Sequence, residues 1–243
     1  MLTHLNKNKI IFLDIETVAQ QPNYAKLPER LRLLWDKKAM LISRDEEAKP
    51  EEIYERAGIY SEFGKIICIS IGYYEPKLKT FRLKSFFGHN EKALLLAFAE
   101  MLNRYFNHES DLLCAHNGKE FDFPYIARRL LVNQIKLPKL LDIAGKKPWE
   151  IKHLDTMELW KFGDYKHYTS LDLLTAIFNI PSPKSDINGS QVNEVYWKDG
   201  DVKRIAKYCQ NDVLAIAQLL NAYQGKALWK ESELEYTELI EIL

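Results

Sequence analysis

Residues 9–17 read K-I-I-F-L-D-I-E-T, a β-branched and aromatic run that carries two acids, Asp14 and Glu16, near its end. Its length and composition predict a buried strand rather than a helix. Along a strand, side chains at i and i+2 point to one face, so both carboxylates project to the same side while Leu13 and Ile15 face the opposite way, into packing. Acids at the end of an apolar strand are costly unless they are solvated, paired or bound to a metal. A strand end dipping into water is the plain alternative, and a lone D-x-E pair is weak evidence of chemistry. As a constraint on folding it is stronger, because a sheet must form around this strand while its acids keep a partner.

The rest of the chain supplies such a sheet. Residues 65–74 (K-I-I-C-I-S-I-G-Y-Y) predict a second strand, and 78–83 alternate like a third, exposed on one face. Residues 90–106 repeat apolar positions at helical spacing with Asn90 as N-cap. A strand over 111–115, the loop His116-Asn117-Gly118 and a helix from about 121 to 132 follow. Beyond that the sequence reads as mostly helical, apart from a short apolar piece near 153–155. Thr169 or Ser170 caps a helix reaching Phe178, a turn-rich P-S-P-K-S-D-I-N-G-S follows, and a long helix runs from Asp201 to about Tyr223, stopping before Gly225. Residues 20–64, with Pro22, Pro28, Pro50, P-E-R-L-R-L-L-W-D-K-K and a charged stretch over 44–56, predict a partly helical insertion after the first strand. Strands early, a strand-helix-strand-helix unit and helices late predict one α/β domain over 1–243, a mixed central sheet flanked by helices.

Composition excludes little. A chain of 243 residues can bury a core without disulfide or metal staples. Lys+Arg and Asp+Glu are 34 each, so no basic excess advertises a nucleic-acid partner. A cleft on a neutral protein can still be locally positive, and a nucleic-acid partner here would be gripped over a small footprint with help from bound cations. Cys68, Cys114 and Cys209 read as small buried hydrophobes rather than zinc ligands or a disulfide framework. Residues 10–13 are too short for a signal peptide and no stretch has transmembrane length, so a cytoplasmic protein with no membrane partner is expected.

Two further places offer acids. Asp122, in N-G-K-E-F-D, falls in the first turn of a helix, where the dipole alone would favour it. Tyr208 and Asp212, in Y-C-Q-N-D, are i and i+4 on one helical face. Each has an ordinary structural explanation, but together they provide four acids from three elements around one sheet end. Hard divalent ions take carboxylate oxygens, and a two-metal site needs several acids from separate elements. Asp14 is the candidate to bridge two ions, with Glu16 and Asp212 completing one shell and Asp122 holding or orienting the other. Tyr208 is placed to orient the attacking water.

D-I-E-T, H-N-G-K-E-F-D and Y-C-Q-N-D, in this order, resemble the three motifs of the DEDD superfamily of 3'-5' exonucleases, and Tyr208 resembles its DEDDy branch. The chain is most similar to the stand-alone group related to the proofreading domain of family B DNA polymerases. H-L-D-T-M-E-L-W, S-L-D-L-L-T-A-I-F, K-S-D-I-N-G and V-N-E-V-Y-W also have counterparts there, so the likeness covers about residues 9–225. The resemblance implies a ribonuclease H-like fold, two Mg²⁺ or Mn²⁺ ions and release of nucleoside 5'-monophosphates from the 3' end of single-stranded or frayed DNA. A 3'-5' exoribonuclease is the first alternative, because the superfamily acts on both sugars. A non-catalytic nucleic-acid-binding domain is the second, although it would be expected to lack one of the acids. A polymerase or repair partner is not specified by any motif.

Secondary candidates are weaker. The resemblance implies that the backbone at Thr17 contacts the terminal nucleotide, though Thr17 also suits a strand end. Phe121 is a candidate to stack on a base, and Asn117 and His116 flank the cleft, His116 equally as a hydrogen-bonded loop residue. Asp155 reads first as a helix cap at Thr156 and second as an acid near the metals. Lys184 and Asp186 read first as a solvated loop and second as substrate contacts. Trp35, Trp149, Trp160 and Trp197 read as packing residues.

Overall fold

In the computed structural model, residues 5–43, 48–164, 168–182 and 186–243 are described. They form a mixed α/β fold on a six-stranded sheet in the order β5-β4-β1-β2-β3-β6. The strands are β1 (Ile10–Ala19), β2 (Gly64–Glu75), β3 (Thr80–Phe87), β4 (Leu112–Ala115), β5 (Leu154–Asp155) and β6 (Leu234–Tyr236). β1 is antiparallel to β2 and parallel to β4, so it lies inside the sheet with both edges paired. β3 pairs antiparallel with β2 and parallel with β6, and β5 extends β4 in parallel.

The period-2 pattern of β1 divides the packing. Ile11, Leu13 and Ile15 face α2 (Glu91–Tyr105) and α3 (Asp122–Val132), in one core with Leu94, Phe98, Phe123 and Ile126. Ile10 and Phe12 face the other way, against Val213, Ile216 and Leu220 of α7 (Val202–Tyr223). α7 is capped by the Asp201 side chain and ends at Gly225, where Gly225 and Lys226 donate to Ala222 and Asn221. That closure needs the φ of +66° at Gly225, which a residue without Cβ adopts freely. Gly72 lets α7 approach the sheet, since a Cβ there would stand 2.5 Å from Phe81 and 2.9 Å from Val213.

The pairing shifts after Glu16: Glu16 is opposite Cys68 but Thr17 is opposite Ile66, leaving Ile67 as an extra residue of β2. Both Ile67 and Cys68 then pack on the α7 side. This bulge lies beside the two acids.

Between β1 and β2 the chain is partly helical, with α1 (Glu29–Ile42) and short 3₁₀ turns. It has its own cluster of Leu27, Trp35, Tyr54, Ala57 and Phe63, and Trp35 Nε1 donates to Pro50 O at 2.9 Å. It is tied to α3 by Tyr125 Oη donating to Gly58 O at 2.8 Å and Arg129 Nη1 donating to Ser61 O at 2.8 Å. Arg129 also donates through Nε to Glu91 at 2.8 Å, and Glu91 accepts from Ile66 N at 2.7 Å. Both side chains of this ion pair are nearly buried. Arg129→Met leaves the Glu91 carboxylate buried without its cation, and we expect a loss of about 3–5 kcal/mol in urea unfolding.

Several expectations are corrected. The third strand starts at Thr80, and Leu78 lies in the preceding turn, exposed. Residues 133–153 hold only 3₁₀ turns, at Lys139–Leu141 and Pro148–Glu150, because Pro138, Gly145 and Pro148 interrupt any helix. β6 is a strand in the terminal part read as helical. Trp149 is 77% exposed and packs into no core cluster, unlike Trp35, Trp160 and Trp197. Ser170, not Thr169, caps α5 (Leu171–Ile177), and a single turn, α6 (Val192–Glu194), precedes α7. Among the described residues no helix is long and apolar enough to cross a membrane.

Candidate active site

β1 presents Asp14 and Glu16 on the face that α7 covers. Cys209 of α7 is buried against that face, and its Sγ–H donates to Asp14 Oδ2 at 3.4 Å and to Asp14 O at 3.4 Å. One carboxylate oxygen from each of Asp14 and Glu16 and the Cys209 sulfur lie within 4.8 Å of one another. Tyr208 and Asp212 flank Cys209 on the same helix, and their side chains interact with each other. Asp122, the first residue of α3, is buried and receives backbone hydrogen bonds from its own N–H and that of Ile15. Its Oδ1 has no hydrogen-bond partner among the described residues.

Burial and mutual repulsion make ionisation of this cluster expensive. Asp14 is held well above the usual carboxylate range, first by burial and then by Asp212, Asp122 and Glu16, so it feels all three of the other acids. Glu16 is raised likewise, by burial and then chiefly by Asp212. Asp122 is pushed up to about 7 by burial, against its backbone hydrogen bonds, and Asp212 to about 7, again by burial first. Burial and the neighbouring acids also push the Tyr208 phenol up, which keeps it protonated and a donor. Four oxygen-donor acids with an orphaned buried oxygen fit a hard divalent cation. The thiol of Cys209 holds the Asp14 carboxylate from the protein side.

The loop before α3 is held by Asp155. Asp155 Oδ1 accepts from Asn117 N at 2.9 Å, Met157 N at 3.0 Å and Glu158 N at 3.2 Å, and Oδ2 accepts from Lys119 N at 3.1 Å. It therefore caps α4 (Thr156–Lys161) and fixes the Asn117–Asp122 turn together. Asn117 takes a left-handed φ of +63° there, and Gly118 is required because a Cβ would meet Ala115 Cβ at 2.3 Å.

Residues 59–224 match the model of a family described as a predicted 3'-5' exonuclease related to the exonuclease domain of PolB. The chain belongs to this family. Asp122, Tyr208 and Asp212 lie within the matched residues of this PolB-related exonuclease family, and β1 with Asp14 and Glu16 precedes them. A DNA polymerase of Pyrococcus glycovorans is 23% identical over 88% of this chain. The solved structure of the family B DNA polymerase from the archaeon Pyrobaculum calidifontis aligns with 88% of this chain at 14% identity and a TM-score of 0.52. That likeness shows the fold, ribonuclease H-like as expected. The chain spans 31% of the first polymerase and 24% of the second.

Other expected residues are placed as follows. Thr17 is partly buried and interacts with the Tyr125 hydroxyl. Phe121 is partly buried, its ring 5.3 Å from that of Tyr125. The Asn117 Oδ1 is buried without a partner among the described residues. His116 is a hydrogen-bonded loop residue, joined to Thr156 Oγ1 and Thr169 O at 2.9 Å each. Asp186 pairs with Arg204 at 2.7 Å, while Lys184 lies outside the described residues. Two residues were undervalued from sequence: Cys209, read as packing, and Asp155, whose hold on the 117–119 backbone no spacing rule shows. Asp155→Ala is expected to lower kcat/KM about 10–100-fold, as for other groups that orient a site. Its cap loss should also cost about 1–2 kcal/mol in urea unfolding.

Proposed function

We propose that the chain is a 3'-5' exonuclease that releases nucleoside 5'-monophosphates from the 3' end of single-stranded DNA. The observation behind this reading is the convergence of Asp14, Glu16, Asp122 and Asp212, buried or partly buried acids whose charges oppose one another, with no cation among the groups of the described residues that shift them. Two divalent ions, Mg²⁺ or Mn²⁺, would supply that charge and the acidity needed to activate water and stabilise the leaving oxygen. Asp14, which feels the other three acids, would be the ligand shared by both ions; Glu16 and Asp212 would hold one ion with it, and Asp122, whose Oδ1 has no partner among the described residues, would hold the other.

Tyr208 remains a neutral donor at working pH and orients the attacking water towards the phosphodiester. Thr17, Asn117 and Phe121 position the terminal nucleotide: the first two offer backbone and amide groups, and Phe121 a ring on which a base can stack. The family description, which names the exonuclease domain of PolB, favours DNA over RNA.

Matched 5'-labelled DNA and RNA strands test the reading: in Mg²⁺ or Mn²⁺ the DNA strand is shortened faster, and a chelator stops digestion. Faster loss of RNA would reassign the substrate. Tyr208→Phe is expected to slow kcat about 10²-fold, the lower range for a positioned proton-transfer or orienting group, with little change in metal affinity by calorimetry.

A further inference from the structure

The acids of β1 have a sulfur neighbour that a hard ion does not use. Cys209 Sγ lies 3.4 Å from Asp14 Oδ2, and that sulfur and one oxygen each of Asp14 and Glu16 are all within 4.8 Å of one another. Among the described residues this is the one place where three such ligand atoms meet. Zn²⁺ bonds sulfur at about 2.3 Å and carboxylate oxygen at about 2.0–2.2 Å, so a tetrahedral ion sets neighbouring S and O ligands about 3.5–3.6 Å apart. The Cys209–Asp14 separation of 3.4 Å is already close to that edge. Cys209 is fully buried in α7, with its sulfur also 3.4 Å from Asp14 O, so packing holds it in this position.

A second observation points to a ligand at the same place. Asp122 is only 3% exposed, and its Oδ1 has no hydrogen-bond partner among the described residues, while its charge is felt by both Asp14 and Glu16. Asp14 and Asp212 are partly exposed, so an ion can reach the cluster from solvent. Mg²⁺ takes oxygen ligands and has no use for the sulfur, whereas thiolates select softer ions.

We propose that the acid cluster is also a capture site for a thiophilic divalent ion, Zn²⁺ or Cd²⁺, held by the Cys209 thiolate together with Asp14 and Glu16. The proposal rests on the reading of the acids as metal ligands. The ion takes the place of the thiol proton between Cys209 and Asp14: the S–H bond breaks, an S–metal bond forms and the proton passes to water, with no change of oxidation state. Asp14 and Glu16 are then committed to the soft ion, so Mg²⁺ or Mn²⁺ is excluded from the position they share. Traces of Zn²⁺ or Cd²⁺ therefore inhibit digestion that a hard ion supports.

Cd²⁺ is the probe, because a thiolate bound to it absorbs in the ultraviolet by sulfur-to-metal charge transfer and a carboxylate does not. Wild type titrated with Cd²⁺ should develop that band, and Cys209→Ser, which keeps a hydroxyl donor to Asp14, should lack it. Glu16→Gln leaves the thiol intact, so it should show the band but need at least about 10-fold more Cd²⁺, as expected for weakening a metal site. In Mg²⁺, with each protein referred to its own uninhibited rate, the half-inhibitory Cd²⁺ concentration should rise more than about 100-fold in Cys209→Ser, beyond the range for groups that only support a ligand. Cd²⁺ that displaces Mn²⁺ from wild type without the band, or a band that persists in Cys209→Ser, would overturn the sulfur ligand and leave the nuclease reading standing. If wild type binds neither Cd²⁺ nor Mn²⁺, both readings fall together.

Discussion

Asp14→Asn is expected to abolish strand digestion while making the metal-free protein more stable than wild type. The two effects have one cause. Asp14 sits where its charge is opposed by burial and by Asp212, Asp122 and Glu16, so in the absence of cations it is a folding liability. The amide keeps the volume and can still accept from the Cys209 thiol, but it removes the charge that the site was built to present. Activity should fall by at least about 10³-fold, beyond the 10–100-fold typical of groups that only support a metal ligand. In chelator, the urea midpoint should rise. A variant that is inactive because it is unfolded would show the opposite shift.

The second large effect is a divalent-ion stabilisation that depends on pH. Asp122 and Asp212 titrate at about 7 in the folded chain, and Asp14 and Glu16 are raised as well. Unfolded, such carboxylates titrate near about 4. Between those values the folded state binds more protons than the unfolded state, so metal-free stability falls as pH rises through this window, and Asp122 and Asp212 add no further loss well above about 7. Below about 4 both states are protonated and the contribution is fully present. Cations bind the ionised cluster of the folded chain, so Mg²⁺ or Mn²⁺ should raise Tm most at pH 8 and little at pH 5. At 100 times Kd the gain is about 2.7 kcal/mol, or roughly 5–10 °C for a chain of this size. Differential scanning calorimetry at both pH values, with and without the ion, measures it. Equal increments at the two pH values would mean that the acids are not the binding groups.

Much of this site was legible because its parts obey short periods. Asp14 and Glu16 share a face by strand alternation, and Tyr208 and Asp212 by helical spacing; neither needs tertiary information. The helix over 201–223 was readable from its cap, its apolar stripe and Gly225. Contacts across elements were not readable. Cys209 looks like any buried cysteine until α7 is laid over β1, and Asp155 looks like a helix cap until the 117–119 turn is folded onto it. β6 is too short to show alternation and exists because β3 offers it an edge. Trp149 shows the opposite failure: hydrophobic character argued for the interior, but Lys147 and Pro148 place it on a surface turn where no core reaches it.

If these acids converge on a pair of divalent ions, the bound ions can be counted. Counting bound Mn²⁺ by electron paramagnetic resonance, in wild type and in Asp14→Ala, tests that convergence most directly. Two ions per chain in wild type, with binding at both sites weakened by loss of Asp14, is the predicted result. Binding that is absent from wild type, or unchanged in Asp14→Ala, would contradict it.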